Sequence, residues 1–148
     1  MSTQPPLVSA TGIWYAYFPA QTQAGDNQSH VLNLSSPESF GNVSLFAEAL
    51  SGVSLTHRAV VNVDCHASCE HEVAIERTLG VQIDKDPMGY IEAGAILERG
   101  QSIFVAGSGN AAYQGILDEG QIIRTFVQAP GDQIAVKDGY ISVMAQPV

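Results

Sequence analysis

MGYIEAGAILERGQSIFVAGSGNAAYQGIL (88–117) is the stretch whose reading decides the fold. Ile91, Ala93, Ala95 and Leu97 alternate with Tyr90, Glu92, Gly94 and Ile96. A period of two sends one set of side chains to a core and the other outward, which is a strand and not a helix. Glu98-Arg99-Gly100 is predicted to turn the chain, Ile103 and Val105 resume the alternation, and Gly107-Ser108-Gly109-Asn110 is predicted to turn it again. Glycine supplies the backbone freedom that tight turns need.

The same grammar recurs downstream. Asp118-Glu119-Gly120 precedes Gln121-Ile122-Ile123, and Ala129-Pro130-Gly131-Asp132 precedes Gln133-Ile134. Residues 121–128, 133–137 and 139–145 are read as strands, the last two joined by a hairpin turn at Lys137-Asp138-Gly139. Upstream, Ile13–Phe18 is an aromatic strand stopped by Pro19, residues 19–29 have loop composition, and 31–34 is a short strand ended by Ser35-Ser36-Pro37-Glu38. Residues 39–52 fit a helical face (Val43, Phe46, Ala47, Leu50) and a strand face (Val43, Leu45, Ala47, Ala49) equally well; strand neighbours favour strand. Between Val53 and Asp84 two long strands are expected. Ala59, Val61, Val63 and Cys65 share one face of the first, and Val73, Ile75, Leu79, Val81 and Ile83 one face of the second. A loop near 66–70 joins them, and Asp84-Lys85-Asp86-Pro87 is a turn.

About ten short strands with regular turn signals predict an all-β, antiparallel, jelly-roll-like β-sandwich. It is expected as a single domain over 13–148, preceded by an extended arm over 1–12 in which Pro5-Pro6 precludes regular pairing.

Net charge bounds the partners. The chain has 15 acidic and 6 basic residues, a formal charge of −9, so nucleic acid and anionic membrane surfaces are expected to repel it. No window approaches the ~18 apolar residues of a membrane span, and the first residues lack a basic, then apolar, leader pattern. Charged residues make up only 14% of the chain against roughly 25% in ordinary domains. The surface is therefore covered largely by uncharged polar groups, a composition compatible with assembly.

The one local concentration of ligand-type residues is Cys65-His66-Ala67-Ser68-Cys69-Glu70-His71. Thiolate and imidazole suit zinc, so Cys65, His66, Cys69 and His71 are the metal candidates. Four ligands within seven residues, however, would need a contorted loop. A disulfide between Cys65 and Cys69 across the neck of a hairpin, or two free thiols, are the other states open to the pair. Nucleophilic chemistry finds no support: Ser108 lacks the Gly-x-Ser-x-Gly elbow, and no histidine has a carboxylate fixed to it by spacing. There is no His-x-His followed by Glu, and Gly107–Asn110 is followed by neither a lysine nor a helix pattern. No catalytic residue, enzymatic activity or cofactor is expected. Trp14, Tyr15, Tyr17 and Phe18 are read either as a sugar-stacking platform or as core packing combined with a contact between subunits.

Gly94-Ala-Ile-Leu-Glu-Arg-Gly-Gln-Ser-Ile-Phe-Val105, followed by a Gly/Ser/Asn turn and another short strand, resembles small β-sandwich domains of tailed-bacteriophage virions. These include capsid decoration (cement) proteins and baseplate or fibre attachment domains. The likeness covers residues 89–117. It implies a non-enzymatic structural role in a virion as a homo-oligomer, commonly a trimer, seated on the major capsid protein or another virion protein. The alternative is a carbohydrate- or receptor-binding module of a tail fibre or baseplate. In either case the protein would be made in the host cytoplasm and located in the virion. The residues expected to make oligomer or lattice contacts are Pro5, Pro6 and Leu7 of the arm with Trp14, Tyr15 and Tyr17 of the aromatic strand.

Overall fold

Alternation carries the chain straight through the segment expected to loop at 66–70. Residues Ala59–Cys69 form one strand in which Ala59, Val61, Val63, Cys65, Ala67 and Cys69 are all buried. His66 and Ser68 looked like loop residues because they are polar, but they occupy the outward positions of that strand. The computed structural model describes residues 10–70, 77–85, 97–103 (strand backbone), 107–131 and 133–148. The expectations for 1–9, Val73 and Ile75, the end of the 84–87 turn, the alternating run 88–96 and Val105 lie outside these residues.

Among the described residues the strands, in chain order, are β1 (Gly12–Tyr17), β2 (Gln21–Gln23), β3 (His30–Val31), β4 (Ser35–Gly41), β5 (Phe46–Ala49), β6 (Gly52–Leu55), β7 (Ala59–Cys69), β8 (Thr78–Asp84), β9 (Leu97–Ile103), β10 (Ser108–Leu117), β11 (Ile122–Gln128) and β12 (Ile134–Pro147). They make two antiparallel sheets. The first runs β10-β7-β12-β1-β4, with β2 on the early part of β12; the second runs β5-β6-β11-β8-β9, with β3 on β11. Apart from the same-sheet neighbours β1 and β2, β5 and β6, and β8 and β9, the chain passes from one sheet to the other between successive strands, so the fold is an antiparallel jelly-roll β-sandwich.

The two inner faces meet in one apolar core. Trp14 and Ala16 of β1, the odd-numbered residues of β7, and Ile141, Val143 and Ala145 of β12 face Val53, Leu55, Leu79, Val81, Ile83, Ile123 and Val127 of the second sheet. Residues 121–128 supply a strand as expected, and Leu79, Val81 and Ile83 take the inward positions their alternation predicts. The second sheet is also covered on its outer side at its centre. Arg124 and Gln82 are register partners, and both are buried with Asp84. Arg124 Nη1 donates to both Asp84 carboxylate oxygens at 2.5 Å, its Nε donates to the Leu50 carbonyl at 2.8 Å, and Gln82 Nε2 donates to Asp84 at 3.1 Å.

Two glycine-marked turns prove to be irregularities inside strands. Leu79 pairs with Ser102 and Val81 with Arg99, so Gly100 and Gln101 together oppose the single residue Gly80. Glu98-Arg99-Gly100 is thus part of a bulged strand and not a turn. In β12, Val136 pairs with Cys69 and Asp138 with Ser68, leaving Lys137 as the extra residue. The two strands expected on either side of Lys137-Asp138-Gly139 are one strand. The buried positions change parity across it, from Ile134 and Val136 to Ile141 and Val143, which is the trace a bulge leaves in a sequence. Gly139 is required there: a Cβ would lie 2.1 Å from the His66 carbonyl oxygen. By contrast Gly120 (φ 85°) does end a turn, and Gly131 (φ 73°) stands at a bend.

Other boundaries shift for local reasons. Ser35–Glu38 does not end a strand but opens β4, where Pro37 is tolerated because β4 is an edge. The loop expected at 19–29 contains β2, paired with Ile134–Val136. Of residues 31–34, only Val31 lies in a strand, although the Leu32 amide still bonds to the Thr125 carbonyl at 2.9 Å. The ambiguous 39–52 segment is divided: a single 3-10 turn at Val43–Leu45 leads into β5. At its inner end the arm is fixed, because the Asn42 amide and Nδ2 donate to the Thr11 and Ala10 carbonyls at 3.1 and 3.2 Å, and Gly12 already belongs to β1.

Candidate functional site

The apolar residues of β1 occupy both of its faces. Trp14 and Ala16 enter the core, whereas Ile13, Tyr15 and Tyr17 stand on the outside of the first sheet. Register extends that outer face across five strands. One row is Phe40, Ile13, Met144, Asn62 and Gln114; the next is Glu38, Tyr15, Ser142, Asp64 and Ala112; the third holds Tyr17, Tyr140, His66 and Asn110. The half nearer β4 is therefore aromatic and aliphatic, and the half nearer β10 is polar.

Contacts within the apolar half order the rings. Tyr15 stacks on Phe40 with centroids 5.6 Å apart and meets Tyr17 edge-on at 5.8 Å. The Tyr15 hydroxyl donates to the Glu38 carboxylate, and this bond, with burial and the carboxylate charge adding to it, pushes the phenol up to about 12. On the polar half, His66 Nδ1 is 2.9 Å from Asn110 Oδ1, and its ring lies 5.9 Å from that of Tyr140. Tyr17 and Phe40 are nonetheless 51% and 52% exposed, Met144 46% and Tyr140 42%. The three rows contain two carboxylates and no lysine or arginine. Contiguous exposed apolar side chains of this kind mark association surfaces, where isolated ones would mean nothing.

The residues singled out in the sequence divide accordingly. Tyr15 and Tyr17 are on this face. Trp14, only 7% exposed, is a core residue and not a surface contact, and the four-residue aromatic platform is split because Phe18 is buried as well. Pro5, Pro6 and Leu7 lie outside the described residues. Ile13, Phe40, Tyr140 and Met144 were missed. Their signal is the second phase of alternation in β1 and β12, where the residues between core positions are also apolar.

The Cys/His cluster does not converge. Cys65 and Cys69 share the core face of β7, and His66 projects from the other side; His71 lies outside the described residues. A hairpin neck that could bring the cysteines together does not exist. Four residues of extended strand separate them by ~13 Å, beyond the ~7 Å limit for a disulfide, and both are free thiols. Among the described residues no group of three His, Cys, Asp or Glu could hold a metal ion. Burial pushes Cys65 up to about 12, against a hydrogen bond with Thr125 Oγ1 at 3.1 Å, and burial raises Cys69 as well. The native protein is therefore expected to react with a disulfide reagent at pH 8 on the order of a thousand-fold more slowly than free cysteine at Cys65. A thiol raised by folding contributes full stability below its unfolded value near ~8.5 and loses it as pH climbs towards the folded value. Rapid titration of both thiols without denaturant would contradict this placement.

No protein-family model and no curated protein sequence matches the chain. Solved structures do match in shape. Murine APRIL, in its crystal structure at pH 8.0, superposes with a TM-score of 0.61 at 10% identity over 92% of this chain and 98% of its own. Eiger TNF from S. frugiperda superposes with a TM-score of 0.52 at 12% identity, over 88% of this chain and 90% of its own. At such identity the likeness concerns the fold: both sheets of a TNF-like jelly roll are present.

Proposed function

We propose that the chain is a non-enzymatic structural protein that works by self-association, as a decoration protein on a virion shell. The observation that carries the reading is the exposed face formed by Ile13, Tyr15, Tyr17, Phe40, Tyr140 and Met144. Copies meeting through that face bury aromatic rings held in place before contact, which limits the ordering cost of association. The low density of charged residues removes much of the desolvation that would oppose it. A homo-oligomer of this kind, commonly a trimer, bridges neighbouring subunits of the major capsid protein. Because it binds only the assembled lattice, it stabilises that state by mass action. The assignment to a virion is supported by the resemblance at residues 94–105, and the net charge of −9 directs the protein to protein surfaces and away from packaged nucleic acid.

The reading is tested in two steps. Light scattering at micromolar concentration gives an oligomer for the native chain. The double substitution Tyr17→Asp with Met144→Asp gives a monomer whose thermal midpoint changes little, since neither side chain packs in the core. A monomeric native chain would remove the basis of the proposal. Added to purified empty phage shells, the oligomer raises the shell's melting temperature; no retention on any shell, with association intact, would remove the virion role alone.

A further inference from the structure

The sandwich ends on one side in two edge strands, β4 of the first sheet and β5 of the second, and among the described residues no strand pairs with the far side of either. Between them runs an open groove of about 810 Å³ lined by Trp14, Pro37, Phe46 and Leu50, with Glu38 and Glu48. Register fixes which backbone groups face outward, because bonded and unbonded pairs alternate along an antiparallel ladder. The Asn42 amide donates to the Thr11 carbonyl, so the next bonded pairs are Phe40 with Ile13 and Glu38 with Tyr15. The amide and carbonyl of Ser39 therefore point away from β1. On β5 the Thr56 amide donates to the Leu45 carbonyl, which makes Ala47 with Ser54 and Ala49 with Gly52 the bonded pairs. The amide and carbonyl of Glu48 then point away from β6. Phe46 and Glu48 are opposite the core residues Leu55 and Val53, so their side chains stand on the groove's inner wall. Glu38, in the Tyr15 row, stands on its outer rim.

Outward amides and carbonyls on an edge accept an extended chain, and a groove beside that edge takes its alternate side chains. Charge decides which chain is admitted. The inner wall and the outer rim each carry a carboxylate, and no lysine or arginine lines the groove. Pro37 and Glu38 are residue types that keep an edge from pairing indiscriminately. A second β4 is an unsuitable occupant, because it would bring another Glu38 to an edge that already has one. We infer that the groove binds an extended segment of a partner protein, rich in apolar residues and bearing lysine or arginine. The segment adds to β4 at Ser39, sets apolar side chains against Phe46 and Pro37, and brings its cations to Glu48 and Glu38. The site lies beside the exposed aromatic face and does not depend on copies meeting there.

The probe is a short fluorescein-labelled peptide of alternating lysine and valine, which offers one basic and one apolar face in any register. Fluorescence anisotropy with the full chain is expected to show saturable binding. The same peptide with N-methylated valines keeps its charge but cannot complete a ladder, and should bind at least tenfold more weakly. Ser39→Pro removes an outward amide and no bond to β1, and should also weaken binding at least tenfold with the thermal midpoint little changed. Glu48→Arg, at an exposed position, should do the same by reversing the charge on the inner wall. No saturable binding overturns the inference. Equal binding of the N-methylated peptide overturns it too, since charge alone would then account for the attraction. If Ser39→Pro does not fold, Glu48→Arg and the N-methylated peptide carry the test, and undiminished binding in either overturns the assignment.

Discussion

Replacing Arg124 with methionine is expected to lower the unfolding free energy by about 3–5 kcal/mol, because it takes from the buried Asp84 carboxylate the guanidinium that donates to both of its oxygens. The loss has two further parts: the Arg124 Nε bond to the Leu50 carbonyl disappears, and the β5–β6 hairpin loses its tie to the outer side of the second sheet. Gln82, which donates to the same carboxylate, cannot neutralise it. The denaturant midpoint should fall with little change in its slope, since the surface exposed on unfolding is nearly constant. Changing both partners, Arg124→Met with Asp84→Leu, should recover much of the loss, because neither member of the ion pair then remains to be desolvated. If the single variant melts within 1 kcal/mol of the native chain, this pair does not hold the sheet.

Trp14→Ala is expected to cost about 3–5 kcal/mol of stability, the range for removing a large buried aromatic ring. Its neighbour Tyr15→Ala should cost far less stability and act instead on association, because the two side chains leave opposite faces of β1. Chemical unfolding and light scattering on both variants read the two effects separately. A Trp14→Ala protein that is fully stable but monomeric would reverse the assignment of faces.

The architecture was legible wherever one face of a strand is buried and the other is polar. β7 from Ala59 to Cys65 and the alternating Leu79, Val81 and Ile83 of β8 met that condition, and both were read with the correct inward residues. Difficulty arose where polarity and position separate. His66 and Ser68 are polar because they face outward, not because the chain turns. Lys137-Asp138-Gly139 has the composition of a hairpin, yet an extra residue in a long strand needs the same backbone freedom as a turn, and only the parity of the flanking core positions distinguishes the two. The candidate site was half legible. Tyr15 and Tyr17 stand in one aromatic run, but Phe40 and Met144 reach them only through the pairings of β1 with β4 and β12, which no local pattern encodes. Arg124 and Asp84 were invisible for the same reason: forty residues apart, they meet because β11 and β8 are neighbours.

The position of β12 sets the order in which the molecule can be made. That strand pairs with β1, β2 and β7, so the centre of the first sheet is supplied after every strand it joins has left the ribosome. Until then the nascent chain carries the inward residues of β7 and β1 without the strand that lies between them. Gly12 meets Ala145 only after every strand between them has been made, a high-contact-order closure of the kind that folds in milliseconds to seconds and not microseconds. Protection of those unpaired edges during synthesis, by a chaperone or by slow local collapse, is thus a demand that the topology itself places on the cell.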